Sequence, residues 1–456
     1  MAFSLSRGNM QQKKRLLANM NPAQVLAMGF AAIILLGAVM LRLPIATTVE
    51  GGISFFDALF TATSCTCVTG LAVLDTAKDF TAFGHVVMLL LIQVGGLGFM
   101  LFATLLMLFF RRRISLHSRM LMRDTVGQEG LRDVVGAMLR VGVITLLVEG
   151  AGCLLLSVVF VPEYGWGKGL WYALFHSVSA FCNAGFDLFG NYESLLKYQE
   201  NYYLQIVICL LIVLGGIGYA VMADVWRKRH RQHRLSLHTK LVLVTTCVLL
   251  LGGFVLFLLL EWHGDLPLGQ KLMNAFFQSV TVRTAGFSAI DQAKLTDGSK
   301  LLSVILMFIG ASPASTGGGA KTTTVCLLLL VAHATVHGRR EINVFGRSLA
   351  VMLVRTAICI LLVNMSLLFG GTLILSVTEA GKGFSLIDLM YETVSALSTV
   401  GLTAAGTPKF SRAGRLMLIL YMYFGRVGPM TIMLVLSGRQ KDQAMVRYPE
   451  EHLLIG

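Results

Sequence analysis

Four stretches of this 456-residue chain end on the same backbone chemistry. They read FFDALFTATSCTCVTGL over 55–71, LWYALFHSVSAFCNAGF over 170–186, LMNAFFQSVTVRTAGF over 272–287 and LIDLMYETVSALSTVGL over 386–402. Each is amphipathic, gathers Ser and Thr toward its end, and closes on a glycine followed by Leu or Phe. The glycines are Gly70, Gly185, Gly286 and Gly401, separated by 115, 101 and 115 residues, and the third copy is one residue shorter before its glycine. Glycine permits torsions that turn successive carbonyls toward one axis, and its missing side chain leaves room beside them. Val68, Thr69 and Gly70, Asn183, Ala184 and Gly185, Thr284, Ala285 and Gly286, and Thr399, Val400 and Gly401 are therefore candidate carbonyl ligands. A ring of such oxygens replaces the hydration shell of a cation. Four ordinary turns are the alternative.

The elements around these loops must cross a membrane. Apolar runs cover about 24–43, 83–110, 134–161, 204–223, 241–260, 301–336, 350–377 and 414–436. A span of the ~30 Å hydrocarbon core takes roughly 20 residues. The chain is 55% hydrophobic and 14% charged with a mean hydropathy of +0.73, a composition that excludes an ordinary soluble surface. The first run follows Arg7, Lys13, Lys14 and Arg15 without a small-residue cleavage site and reads as a retained helix. A second landmark, GGLG at 95–98, GGIG at 215–218, GASP at 310–313 and GRVG at 425–428, lies 25, 30, 24 and 24 residues after the loop glycines. The register thus persists into the second span of each unit.

Charge placement gives orientation. Arg111, Arg112, Arg113, Arg119 and Arg123, then Arg227, Lys228, Arg229, Arg231, Arg234 and Lys240, then Arg339, Arg340 and Arg347 follow alternate spans. With the basic N-terminus they place both termini in the cytoplasm. Lys409, Arg412 and Arg415 depart from that rule. Each basic cluster adjoins a span, which argues against nucleic acid and for topology or a cytoplasmic docking surface. Cys153, Cys209, Cys247, Cys326 and Cys359 lie inside apolar runs and read as packing residues; Cys65 and Cys67 lack the second pair that a zinc site needs.

Backbone that is neither helical nor sheet-paired cannot face lipid, because its unpaired polar groups cost several kcal/mol each. Four such loops must line a shared aqueous space. The preceding segments, about 12 helical residues or roughly 18 Å long, are too short to cross and read as re-entrant. If their C-terminal ends converge, the helix dipoles favour a cation and repel an anion. The expected fold is all-α and polytopic: eight full transmembrane helices and four re-entrant pore helices in four tandem M1–P–M2 units around one pore. The units run over 24–112, 134–226, 241–338 and 350–436, between a cytoplasmic segment at 1–23 and a tail at 437–456.

This pattern resembles the Trk/Ktr/HKT superfamily of potassium transporters, four M1–P–M2 units with one filter glycine each. The likeness covers about residues 20–440 and is nearest to the KtrB type of potassium-translocating subunit. The resemblance implies potassium uptake at the bacterial plasma membrane, K+ at the filter carbonyls, and a pseudo-fourfold pore. It also implies a homodimer on a cytoplasmic KtrA-like ring that binds ATP or ADP, with Na+ as an activator. No nucleotide site is evident on this chain: GGGAKT lacks the phosphate-loop spacing, and no strand precedes it.

The third unit interrupts its second span with Gly310, Ala311, Ser312, Pro313, Ala314, Ser315, Thr316, Gly317, Gly318, Gly319, Ala320 and Lys321. One Pro and four Gly there cannot sustain a lipid-facing helix. The resemblance makes this loop a gate below the filter and sets Arg426 of GRVG beside it, holding loop carbonyls and opposing cation leakage. A passive kink and a structural counter-ion are the alternatives. Arg283 is expected to brace the third loop by hydrogen bonding, and Glu149 interrupts the third run without identifying a proton relay. A sodium-permeable or sodium-coupled carrier of the same architecture is the competing reading. An intramembrane enzyme lacks a nucleophile and base set, since His85 and His176 stand alone.

Overall fold

The computed structural model describes residues 22–98, 134–231, 235–262, 266–339, 341–428 and 431. The basic N-terminus, the arginines of 111–123 and the expected tail at 437–456 lie outside the described residues. The described chain is mostly helical. Among the described residues, four helices are long and apolar enough to cross a bilayer: α1 (Pro22–Leu41), α4 (Val134–Tyr164), α8 (Leu237–Leu260) and α12 (Val351–Thr378). Each is followed by a shorter helix: α2 (Phe55–Cys67), α5 (Trp166–Phe181), α9 (Leu268–Thr281) and α13 (Leu386–Leu397). Then come α3 (Ala82–Leu97), α6 (Tyr202–Ile217) with α7 (Tyr219–Arg231), α10 (Asp297–Ile309) with α11 (Thr322–Val336), and α14 (Arg412–Val427). A two-stranded antiparallel hairpin, β1 (Asn343–Val344) and β2 (Arg347–Ser348), separates α11 from α12.

Local sequence sets the helix starts. Ser54, Thr81, Asn201, Ser236, Thr296, Ser385 and Ser411 each accept a hydrogen bond from a backbone N–H of the first turn that follows. At α13 the cap is reciprocal, with Ser385 and Asp388 each receiving the other's backbone N–H. The long helices pack on their short partners, and their outer faces stay apolar: Leu154 of α4, Leu259 of α8 and Leu373 of α12 are more than 60% exposed. These faces suit lipid, which carries no cost for an exposed leucine. The buried side chains collect around the short helices, with Phe60, Phe175, Phe277 and Tyr391 each fully buried.

In three of the units the described part of the second apolar run has a helix that stops at a glycine. α3 ends at Leu97 on Gly98 (φ 81°), α14 ends at Val427 on Gly428 (φ 92°), and α6 and α7 meet at Gly218 (φ 100°) with a bend of 95°. A left-handed residue cannot continue a right-handed helix, and glycine takes that conformation without steric penalty. Four helices therefore qualify as spans among the described residues, five if the bent α6–α7 pair is one. Cys209 is buried as expected of a packing residue, but Cys247 is exposed on α8. Of the basic residues that break the charge rule, Arg415 is held by tertiary contacts: its guanidinium donates to Asp57 at 3.2 Å and to the Pro408 carbonyl at 2.6 Å.

Candidate functional site

The four glycine loops come together. Each begins with a residue in the left-handed region, Val68 (φ 56°), Asn183 (φ 59°), Thr284 (φ 70°) and Thr399 (φ 51°), and ends on a glycine with positive φ. Thr69, Ala184, Ala285 and Val400 between them do not have positive φ. Alternation of hand along three residues turns successive carbonyls to one side of the strand, a cost that a non-glycine residue bears only where the surroundings hold it.

The loops close into a circuit. A Cβ added to Gly70 would lie 2.5 Å from the carbonyl oxygen of Ala184, and one added to Gly185 would lie 2.8 Å from that of Ala285. A Cβ on Gly286 would meet the Val400 oxygen, and one on Gly401 the Thr69 oxygen, closer still. The first loop thus abuts the second, the second the third, the third the fourth, and the fourth the first. All four glycines line one cavity of about 450 Å³ that opens beyond the ring, with Asp187, Glu193, Asp291 and Lys409 on its walls.

The short helices aim at this ring with their C-terminal ends, because the loops start at their last residues. Backbone bonds fold each loop back on its helix: Thr69 N–H donates to Ser64, Ala184 to Ser179 and Val400 to Ser395, all five residues back. In the third loop Ala285 N–H reaches only four residues back, to Thr281, which absorbs the missing residue of that copy. Hydroxyls complete the bracing in two ways. Ser64 Oγ accepts from Gly70 N–H at 3.1 Å and Ser395 Oγ from Gly401 N–H at 3.0 Å. Ser179 and Thr281 instead donate to the carbonyls of Phe186 and Phe287, just past their glycines. The Ser and Thr enrichment of the repeats is the signal for these braces, although sequence alone does not single them out.

The hydroxyls of Thr69, Thr284 and Thr399 are buried without a hydrogen-bond partner among the described residues. Thr284 and Thr399 face the 310–321 loop: a Cβ on Gly317 would strike the Thr284 hydroxyl, and one on Gly318 would lie 2.5 Å from that of Thr399. The 310–321 loop therefore sits directly against the third and fourth glycine loops. Lys321 Nζ donates to the Gly317 carbonyl at 2.6 Å, and the Arg426 guanidinium donates to the carbonyls of Thr316 and Gly95 and, at 3.4 Å, of Gly96. Arg426 thus ties α14 to the 310–321 loop and to the end of α3. Ser312 N–H donates to the Gly216 carbonyl and Tyr219 N–H donates to the Ala314 carbonyl, so the break between α6 and α7 is packed against the same loop.

The second glycine landmark has its own structural reason. A Cβ on Gly95, Gly215 or Gly425 would collide with the carbonyl oxygen of Thr66, Phe181 or Leu397, at or near the end of the adjacent short helix. In the third quarter Gly310 instead faces the Gly318 carbonyl of the interrupting loop.

Other residues singled out from sequence lie outside the ring. Arg283 is buried beside the third loop, but its Nε has no hydrogen-bond partner among the described residues, so that atom does not brace it. Glu149 is buried on α4, where Gln93 donates to its carboxylate at 3.2 Å and Ser177 donates to its backbone carbonyl at 2.6 Å. It joins α3, α4 and α5 behind the second loop. His176 stacks on Phe189 with ring centroids 4.4 Å apart, and His85 pairs with the Thr76 carbonyl at 2.7 Å.

A family model described as a cation transport protein, TrkH, matches residues 4–447. The chain is 40% identical to the potassium/sodium uptake protein NtpJ of Enterococcus hirae, over 97% of this chain and 99% of that protein. It is 39% identical to the Ktr system potassium uptake protein B of Bacillus subtilis, over 95% and 97% of the two chains. The crystal structure of the potassium transporter TrkH from Vibrio parahaemolyticus superposes with a TM-score of 0.73 at 18% identity, covering 92% of this chain and 86% of that one. Fold and relatives together define a multi-pass membrane cation transporter, not an enzyme. The chain belongs to the TrkH family of cation transport proteins, with homologues of the KtrB and NtpJ kind.

Proposed function

We propose that this chain takes up potassium across the bacterial plasma membrane through the ring formed by Thr69–Gly70, Ala184–Gly185, Ala285–Gly286 and Val400–Gly401. The observation that carries the reading is the closed circuit in which each loop glycine abuts a carbonyl of the next loop. In this reading the chain is four M1–P–M2 units, the short helices are re-entrant, and carbonyls replace the hydration shell of the ion. The negative ends of four helix dipoles and the acidic walls of the mouth attract a cation to it. The unpartnered hydroxyls of Thr69, Thr284 and Thr399 are available as further oxygen ligands on the inner side. The membrane potential drives inward movement, worth ~2.3 kcal/mol per charge per 100 mV.

The 310–321 loop is the gate of this pathway, held under the ring by Lys321 and Arg426. Their two positive charges sit where a departing cation would pass, which opposes leakage while the loop is in place. Three relatives carry names that make them components of a Ktr system. That naming supports a partner subunit in the same system; in this reading the chain is a homodimer regulated by a cytoplasmic nucleotide-binding ring, with both termini on the ring's side.

A second reading is sodium permeation or sodium coupling through the same ring, favoured by the potassium/sodium name of the Enterococcus hirae relative. Uptake in a potassium-requiring bacterial strain separates the two. Growth on limiting potassium restored by this chain in sodium-free medium supports potassium uptake. Rescue that appears only when sodium is supplied supports coupling, and no rescue with protein in the membrane overturns the potassium reading.

A further inference from the structure

Beside the ring, on the side of its mouth, α8 and α9 and the loop after the third glycine enclose a cavity of about 460 Å³ that the ion pathway does not use. Phe257, Leu258, Ala275, Ile290 and Leu295 make it largely apolar. Asn274 of α9 lines it, is only 6% exposed, and has neither its amide nitrogen nor its amide oxygen hydrogen-bonded among the described residues. Such a group costs about 1–3 kcal/mol when left unpaired. It marks a place where a ligand supplies the missing bonds.

The rim indicates the ligand's source. Trp262 at the end of α8 and Leu266 and Leu268 at the start of α9 are exposed. A tryptophan next to exposed leucines belongs at the level where acyl chains meet headgroups. Lys271, which also lines the cavity, donates to the Trp262 carbonyl at 2.7 Å, placing a cation at the same level. The volume lies within the ~300–1,000 Å³ of small-molecule sites and suits one acyl chain better than the pair carried by a bilayer phospholipid.

We propose that this cavity binds a single-chain glycerolipid, with its acyl chain among the apolar walls and its ester and neighbouring free hydroxyl on Asn274. The Asn274 amide N–H donates to the ester carbonyl, and the Asn274 carbonyl accepts from the hydroxyl. The site touches the mouth of the ring, because Leu196 and Asp291 line both cavities. It is also joined to the fourth short helix: Gln278 on its wall donates to Gln292 at 2.8 Å, and Gln292 accepts from Tyr391 at 2.7 Å.

The test uses the full chain in detergent with a diazirine-bearing monoacylglycerol, followed by mapping of the cross-linked peptides. Labelling within residues 257–295, displaced by unlabelled monoacylglycerol and about tenfold weaker in Asn274→Leu, is expected from loss of two hydrogen bonds. Ala275→Leu, which fills the cavity without touching the amide, is expected to lower labelling as well, and size-exclusion profiles show whether each variant is folded. A diacyl phosphatidylcholine probe, which has two chains and no hydroxyl, is expected to leave this segment unlabelled. Absence of labelling there, equal labelling by the diacyl probe, or labelling unchanged in a folded Asn274→Leu or Ala275→Leu protein would overturn the proposal.

Discussion

The backbone of Gly401 leaves no room for a methyl group against the carbonyl oxygen of Thr69, which joins the last of the four loops to the first. The two residues are 332 positions apart in the sequence, so this contact closes the ring. Any side chain at Gly401 must displace the Thr69 carbonyl, and its φ of 94° disfavours other residues independently. Gly401→Ser, and equally Gly286→Ser, is expected to lower potassium uptake about tenfold or more while membrane insertion stays normal. Uptake assays with quantified membrane protein decide this, and unchanged potassium flux in both variants would refute a four-loop filter.

The hydroxyl braces are expected to govern selectivity more than assembly. Ser64→Ala and Ser395→Ala each remove one hydrogen bond to a filter glycine, worth roughly 0.5–1.5 kcal/mol. A looser ring discriminates ions less. The ratio of potassium to sodium flux should fall about threefold to tenfold in either variant, with expression near that of wild type; an unchanged ratio would show that the braces do not shape the ring.

The two cationic tethers of the 310–321 loop make opposite predictions to the filter glycines. Lys321→Met removes a charge-assisted hydrogen bond of roughly 1.5–3 kcal/mol from the loop, and deletion of 315–319 removes the loop's tip. Both should raise flux, by about tenfold for the point variant, and weaken its dependence on a cytoplasmic partner. Properly assembled but inactive variants would count against a gate.

Acidification is expected to weaken ion capture at the mouth. Burial, then the nearby carboxylates of Asp75 and Glu193, push the Asp187 carboxyl up to about 6, against the pull of hydrogen bonds from the backbone of Phe189 and Gly190. Asp187, which lines the cavity, is therefore charged at pH 7 and loses that charge as pH falls through about 6. The half-saturating potassium concentration should rise over this window in wild type. In Asp187→Asn it should already be high at pH 7 and change less with pH. A wild-type affinity that is flat from pH 7.5 to 5 would contradict a role for this carboxylate.

Much of the site was legible because its chemistry rests on glycine. A residue that must take positive φ against a neighbouring backbone has few substitutes, so four loops that differ in their other residues still end alike. The 310–321 interruption was legible for the same reason, since Pro313 and the glycines around it cannot continue a helix. The breaks at Gly98, Gly218 and Gly428 were not, because an apolar run with one glycine reads as a continuous helix until a packing partner appears. For Gly218 that partner is the Pro313 carbonyl, distant in sequence, and an added Cβ would lie 2.6 Å from it. The same applies to Gly95, Gly215 and Gly425, whose spacing was visible while its cause, a carbonyl at the end of the adjacent short helix, was not. Glu149 stands out in the sequence as a carboxylate interrupting an apolar run, and only the fold places it between Gln93 and Ser177 as a link among three helices.

The most direct test of the account is potassium and sodium flux through the purified chain in liposomes under an inside-negative potential. Wild-type protein is expected to carry potassium in preference to sodium, and Gly401→Ser protein, reconstituted to the same density, is expected to lose that flux. Equal potassium flux through both proteins, or sodium carried as readily as potassium by the wild type, would contradict a potassium filter built from the four glycine loops.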